Sequence, residues 1–420
     1  MTVPLSRNRD YNVLWSTQVL SEMGFSATTI ALPLLVLALT GSPGTAGLVL
    51  GVNAAAQLVA GLPAGALVDR WNRKRVMLAC EVVQGLAIGS LAATLWWDVV
   101  SVMQLVVVAV VIGVCRALFE PAEDACLPKL VPDEQLATAV AMNSARSAFG
   151  HLSGTALGGF LFAIGRLVPF AADALAHFVA FVGLTFLRVP PRRVEQQPMR
   201  MLGAEMTTGL RWVWQQRAIR VTAQCALVLN LFFNAFYIII IVLAKERGVP
   251  AGEIGVMAAM LGAGGLLGAL AAPRLLRVLS PYVSIAGVFW TLSLLSPVSL
   301  VIGNGYLMGA LFAAMAFLTP AANTTINTYQ LLVTPDELRG RLSGVMGVVT
   351  GTASALGPAL GGFLMEVLTG NQAVLLCTAG MLVVTVLISA NSALRGFSRE
   401  LAGQESLTGQ QIVEPSVDSP

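Results

Sequence analysis

The sequence predicts an all-α polytopic membrane protein in which twelve transmembrane helices form two six-helix bundles. Three observations predict it. The chain is 56% hydrophobic and only 11% charged, with a mean hydropathy of +0.77, where soluble domains carry about 25% charged residues. Its apolar residues fall into twelve stretches, each near the roughly 20 residues a helix needs to cross a hydrocarbon core about 30 Å thick. Three motifs of the first half also return in the second at one constant shift of 203 residues.

Span one, 13–39, carries Gln18, Ser21 and Glu22. No small-residue cleavage site precedes it in MTVPLSRNRD, so it is read as a retained helix. Span two, 46–67, runs into the charged stretch GALVDRWNRKRVM (65–77). Span three, 76–97, closes on Trp96, Trp97 and Asp98, which fits an aromatic belt at the outer interface. Spans four (100–120), five (137–164) and six (168–187) complete a first bundle, residues 1–187. A polar segment, 188–218, follows. Its VPPRR is a poor helix; EMTTGLRWVWQQR reads either as an amphipathic helix on the inner leaflet, with Trp212 and Trp214 beside Arg211 and Arg217, or as a solvated linker. Spans seven to twelve, at 219–244, 253–274, 282–302, 306–328, 341–366 and 371–393, form a second bundle, 219–393. Residues 394–420 are polar, acidic and aperiodic, the composition of a disordered cytoplasmic tail.

The repeat ties the halves together. Gly65-Ala66-Leu67 returns as Gly268-Ala269-Leu270, Pro132-Asp133-Glu134 as Pro335-Asp336-Glu337, and Gly154-Thr155-Ala156-Leu157-Gly158-Gly159 as Gly357-Pro358-Ala359-Leu360-Gly361-Gly362. Six helices followed by six in the same orientation make a parallel repeat about an axis along the membrane normal. With the N-terminus inside, Arg166, Lys245 and Arg247 fall outside and Arg116 and Arg146 within spans, leaving 20 of the 25 bases in cytoplasmic segments. That asymmetry puts both termini in the cytoplasm. The five cysteines form no CxxC pair and read as small buried hydrophobes. His151 and His177 are the only histidines, so neither a metal nor a cofactor is expected.

The pattern Gly65-xxx-Asp69-Arg70-x-x-Arg73-Lys74, set between spans two and three of a parallel six-plus-six repeat with a long central loop, resembles the major facilitator superfamily. Asn72 stands where that family's signature has glycine; it also tolerates a left-handed turn. ALPLLVLALTGSPGTAGLVL (31–50), EPAEDACLPKLVPDEQLATAVAMNS (120–144), GLRWVWQQRAIR (209–220) and TPDELRGRLSGV (334–345) resemble the branch of enterobactin exporters and macrolide-efflux proteins, the transmembrane secretion effectors. The resemblance implies the major facilitator fold and a latch: the signature aspartate faces the start of span eleven in the outward-open state. Thr334-Pro335-Asp336-Glu337 reads as a capping box with Pro in the first turn. Its positive end, with Arg339 or Arg341, would attract Asp69, each contact being worth about 0.3–2 kcal/mol. The bases of the stretch serve topology as well.

No lysine precedes Ser or Thr; Arg75, Leu130 and Glu246 follow the three, so no Walker A motif is present and energy must come from a gradient or a partner. Acids embedded in a membrane default to functional candidates. Glu22 lies near mid-bilayer and is the first candidate for proton coupling, followed by Asp173, with His177 one turn on. Arg146 could neutralise one of them, and Arg116 sits where many family members carry a functional arginine. Static burial of Arg146 with an acid, or a local Asp173–His177 hydrogen bond, is the alternative. Glu81, Glu120, Glu123 and Asp124 are placed at the cytoplasmic rim as partners for Arg73 or Arg75. Gly150, Gly154 and Gly158 resemble the antiporter signature of span five, with Thr155 replacing its proline. Gly357, Pro358 and Gly361 repeat the stripe in span eleven, and generic tight packing explains both equally well.

Asn230, Asn234, Phe233 and Tyr237 of span seven, opposite Gln18 and Ser21 of span one, suggest a largely apolar cavity with few polar anchors, suited to amphipathic organic molecules. The expectation is a proton-coupled exporter of drug-like molecules, siderophores or secondary metabolites, working by alternating access. It is expected to be a monomer in the inner membrane with no enzymatic activity; its partners are small molecules, protons and lipid, not nucleic acid. An uptake symporter or a non-transporting scaffold are the alternatives.

Overall fold

The computed structural model describes residues 5–188, 211, 215–334 and 336–390. Of the expected features, the Trp212–Trp214 amphipathic segment, most of the linker and the tail lie outside the described residues. The first bundle is α1 (Arg9–Thr40), α2 (Pro43–Arg70), α3 (Arg73–Trp96), α4 (Val102–Leu130), α5 (Asp133–Ile164) and α6 (Val168–Thr185). The second is α7 (Arg217–Glu246), α8 (Ala251–Val278), α9 (Pro281–Leu295), α10 (Gly305–Phe317), α11 (Thr319–Val333), α12 (Asp336–Val367) and α13 (Gly370–Ala390). Among the described residues twelve crossings are long and apolar enough to span a membrane, α10 and α11 together forming the tenth.

Local chemistry sets the boundaries. Asn8, Ser42, Asn72 and Ser101 each accept a backbone N–H of the first turn of the helix that follows, satisfying a donor that would otherwise be orphaned in or near the bilayer. Asn72 is therefore a helix N-cap with φ −70°, and the left-handed turn expected there is absent. The side-chain acceptor and extended backbone start α3 without it. Gly41, at φ 68°, ends α1 in the left-handed conformation that glycine adopts at no steric cost. The tenth crossing breaks at Leu318, whereas α4, its counterpart, is continuous. Pro320 explains the break, because its ring removes a helical N–H and crowds the preceding turn.

The 203-residue shift holds in three dimensions: α5 and α12 correspond end to end, Asp133–Ile164 with Asp336–Val367. Within the bundles α5 packs on α1, and α12 packs on α7. Between them, α2 packs on α12 and α5 on α8, the pairing that a two-fold axis along the membrane normal produces. These boundaries are tight at the face opposite the N-terminus, the far side. A Cβ at Gly47 would lie 2.2 Å from the Pro358 carbonyl oxygen, and one at Gly362 would lie 2.5 Å from that of Pro43. Toward the face where α1 begins, the N-side, Gly61 and Gly65 of α2 and Gly344 and Gly347 of α12 have open space instead. The bundles meet on the far side and part on the N-side.

Candidate functional site

A cavity of about 480 Å³ opens in the first bundle, walled by α1, α3, α4, α5 and α6. Its lining runs from Phe25 and His177 at mid-membrane to Leu127 and Val140, near the N-side ends of α4 and α5. Five carboxylates, two guanidiniums and an imidazole share it. The wall is half polar, which corrects the expectation of a largely apolar chamber. Sequence periodicity places the acids on three helices but does not show that they converge.

Three ionic groups organise the wall. In the first, Arg116 of α4 binds Glu22 of α1 bidentately at 3.1 and 3.2 Å and Glu120 at 2.7 Å, with its guanidinium 4.1 Å above the Phe25 ring. Glu22 therefore faces the cavity as the partner of a permanent cation. In the second, Arg146 of α5 pairs with Glu123 of α4, both buried. Arg146 was expected to neutralise Glu22 or Asp173, and it does neither. Glu22 sits against Gly150, one turn beyond Arg146, while helical side chains tilt toward their own N-terminus, carrying the guanidinium away from Glu22 toward Glu123.

The third group contains no arginine. His177 Nδ1 lies 2.7 Å from Glu81 Oε2, and Glu81 Oε1 accepts from Gln18 at 3.2 Å and Ser21 at 3.4 Å. His177 Nε2 is 3.5 Å from Asp173 Oδ1, and neither atom has a hydrogen-bond partner. Asp173 Oδ2 accepts from Thr28 at 2.5 Å. The expected Asp173–His177 hydrogen bond is thus displaced by one from His177 to Glu81, and Glu81 is only 1% exposed, not a rim residue. Glu120 and Glu123 likewise pair with Arg116 and Arg146 rather than with the α3 bases. The signal for the cluster was Gly24: a Cβ there would lie 2.3 Å from Asp173 Oδ1, so only glycine lets the α6 carboxylate press against α1.

The other expected residues separate. Gln18 and Ser21 line the charged cavity, but Asn230, Phe233 and Asn234 line a second pocket of about 250 Å³ enclosed by the second bundle, with Thr319 and Asn323. Tyr237 is not part of that lining; its ring packs 6.5 Å from Phe312. Asn230 and Asn234 donate to the Ala226 and Asn230 carbonyls of their own helix. At the repeat shift, Glu22, Glu81, Arg116, Glu123, Arg146, Asp173 and His177 correspond to Cys225, Ser284, Thr319, Ile326, Val349, Leu376 and Gly380. Each of these seven ionic positions of the first bundle is neutral in the second.

The glycine stripes act as packing surfaces. Cβ atoms at Gly154 and Gly158 would lie 2.4 and 2.5 Å from the Met23 and Ala27 carbonyl oxygens of α1, and one at Gly361 would lie 2.4 Å from that of Ala235 on α7. Gly357 meets Asn234 of the same helix, with Pro358 between the two glycines. In the first turn of α3, Lys74 binds the Thr185 and Leu187 carbonyls at the end of α6 and Arg73 the Ala125 carbonyl of α4. These two bases brace the first bundle internally. The side chains of Asp69, Arg339 and Arg341, and with them the latch contact, lie outside the described residues; Arg70 is half-buried at the end of α2.

Comparison with known proteins agrees with this architecture. A family model described as transmembrane secretion effector matches residues 2–419. The multidrug efflux pump Tap of Mycolicibacterium fortuitum is 27% identical over 363 residues, covering 82% of this chain and 86% of that protein. The enterobactin exporter EntS of Escherichia coli O1:K1 / APEC is 24% identical over 385 residues, 90% of each chain. The crystal structure of the nucleoside transporter NupG superposes with a TM-score of 0.73 at 13% identity, over 91% of this chain and 98% of that one.

Proposed function

The chain belongs to the transmembrane secretion effector family of the major facilitator superfamily, and we propose that it exports small amphipathic organic molecules by proton antiport and alternating access. It is a multi-pass membrane transporter and not an enzyme. Distribution of Lys and Arg supports placing the N-side in the cytoplasm, in the inner membrane.

The observation that carries the reading is the pair of unlike walls. The first bundle offers a charged cavity open on the N-side; the second offers a neutral pocket of amides, Phe233 and aliphatic side chains. A molecule with one polar and one greasy face suits a chain that offers both kinds of lining, and the relatives named for multidrug and enterobactin export support outward movement. Closure on the far side and separation on the N-side supports one of the two end states that alternating access requires. Both linings come from one polypeptide, which supports a single chain as the working unit.

Inverted membrane vesicles loaded with an acid interior test the reading. They accumulate a lipophilic dye or antibiotic if export is proton-driven; accumulation that responds only to an alkaline interior would instead establish uptake by symport.

A further inference from the structure

Of the three ionic groups in the first bundle, two are built on arginine. A guanidinium keeps its proton throughout the working range, so Glu22, Glu120 and Glu123 face charges that never change. The third group sets two carboxylates against an imidazole, the one side chain whose ordinary titration falls near neutrality. We propose that the proton exchanged against cargo is carried by the Glu81–His177–Asp173 cluster, a site that rests on the antiport reading of this transporter.

Three features support it. The cluster is closed to water except through the cavity: Asp173 is fully buried and absent from the cavity wall, while Glu81 and His177 are on it. The donors are too few to hold both acids as anions. Asp173 has Thr28 alone, and His177 Nε2 and Asp173 Oδ1 face each other at 3.5 Å with no hydrogen bond. One added proton on either carboxylate converts a group of charge −1 (two carboxylates and an imidazolium) to a neutral one, and its loss to the cavity water reverses the change. Finally, Glu81 Oε1 takes its other hydrogen bonds from Gln18 and Ser21, both on the cavity wall. The group of charge −1 attracts a cationic cargo seated at those two side chains and an added proton removes that attraction, so cargo and proton compete without sharing an atom.

The other titratable and charged groups around the cluster are accounted for. α3 contributes Cys80 beside Glu81, α4 contributes Cys115 and Arg116, α1 contributes Glu22, and α5 contributes Arg146 and His151. Arg116 is held by Glu22 and Glu120, Arg146 by Glu123, and His151 Nδ1 lies 3.4 Å from the Ser26 hydroxyl.

Two measurements on the full-length protein in lipid test the site. Infrared difference spectra between about pH 5 and about pH 9, a window that spans ordinary imidazole titration and lies above that of an ordinary carboxyl, should show the carbonyl band of a buried protonated carboxyl that disappears on the alkaline side. Glu81→Gln or Asp173→Asn should remove it, and Glu253→Gln in the second bundle should keep it. In vesicles, with ethidium as the probe, Glu81→Gln and His177→Gln should lose accumulation driven by an acid interior yet keep ethidium–ethidium exchange, which needs no net proton movement. If Glu81→Gln does not fold, Glu81→Asp should shift the band's titration. Absence of the band, its survival in both carboxamide variants, or acid-driven accumulation by Glu81→Gln at the wild-type level overturns the assignment. A titrating band beside a wild-type protein that exchanges ethidium but ignores the gradient overturns proton antiport itself, and the coupling role with it.

Discussion

Gly44 donates its backbone N–H to Glu366 Oε2 at 2.9 Å, so a carboxylate at the end of α12 sits on the start of α2 across the boundary between the bundles. The Ser42 hydroxyl donates to the same oxygen at 2.9 Å. An anion on exposed helix N–H groups is favourable and reversible, which is what a far-side closure that must later open requires. Glu366→Gln is expected to loosen it. Spin labels at Leu39 and Val367, both exposed near the far-side ends, should report a longer distance in the variant; an unchanged distribution would mean the contact holds nothing shut.

At the other end of the same helix pair, Asp69 closes α2 and Asp336 opens α12. Asp69→Asn should slow turnover roughly 2- to 30-fold, the factor that corresponds to one helix-end charge contact. Initial rates of dye efflux at saturating substrate measure it. A wild-type rate would reject the N-side latch.

Glu22→Gln separates recognition from driving force. Losing the anion leaves Arg116 with Glu120 alone and changes the charged wall, so the apparent KM for a cationic dye should rise. The pH dependence of transport should survive, because the arginine-held acid is not the exchanging group. Loss of pH dependence in Glu22→Gln with its retention in Glu81→Gln would reverse that order.

Arg146→Ala strands Glu123 in a buried site. Breaking such a pair from one side costs about 3–5 kcal/mol, whereas removing both charges is often nearly neutral. Thermal unfolding in detergent should therefore show a large drop for Arg146→Ala and substantial recovery in Arg146→Met with Glu123→Gln.

Gly158→Leu forces a side chain into the Ala27 backbone, where even a Cβ would lie 2.5 Å from a carbonyl oxygen. Overpacking typically costs about 1–3 kcal/mol, and here the obstacle is main chain that cannot rotate aside. Lower melting temperature and reduced folded yield are expected, while Gly61→Ala, which meets open space, should match the parent.

Reading the sequence located the crossings because hydropathy and length are properties of one segment at a time, and it found the repeat because α5 and α12 share motifs at one shift. It placed Gln18 and Ser21 at a cavity, and it singled out Glu22 and Arg116 for other reasons, although they line the same one. It misassigned Arg146 and Glu81 for a common reason: their partners lie on other helices, and the rotation of one helix about its axis relative to another is not written in the periodicity of either. The separation of Asn230 and Asn234 from Gln18 and Ser21 was hidden in the same way. Pro320 could have announced the break in the tenth crossing, since proline acts locally.

The neutral counterparts of those seven ionic positions give the internal repeat a practical outcome. One half holds the electrostatics and the other a neutral, greasier lining. On the proposed reading, grafting the last six crossings of a relative onto this chain should alter which molecules are carried while leaving the ionic cluster of the first six intact.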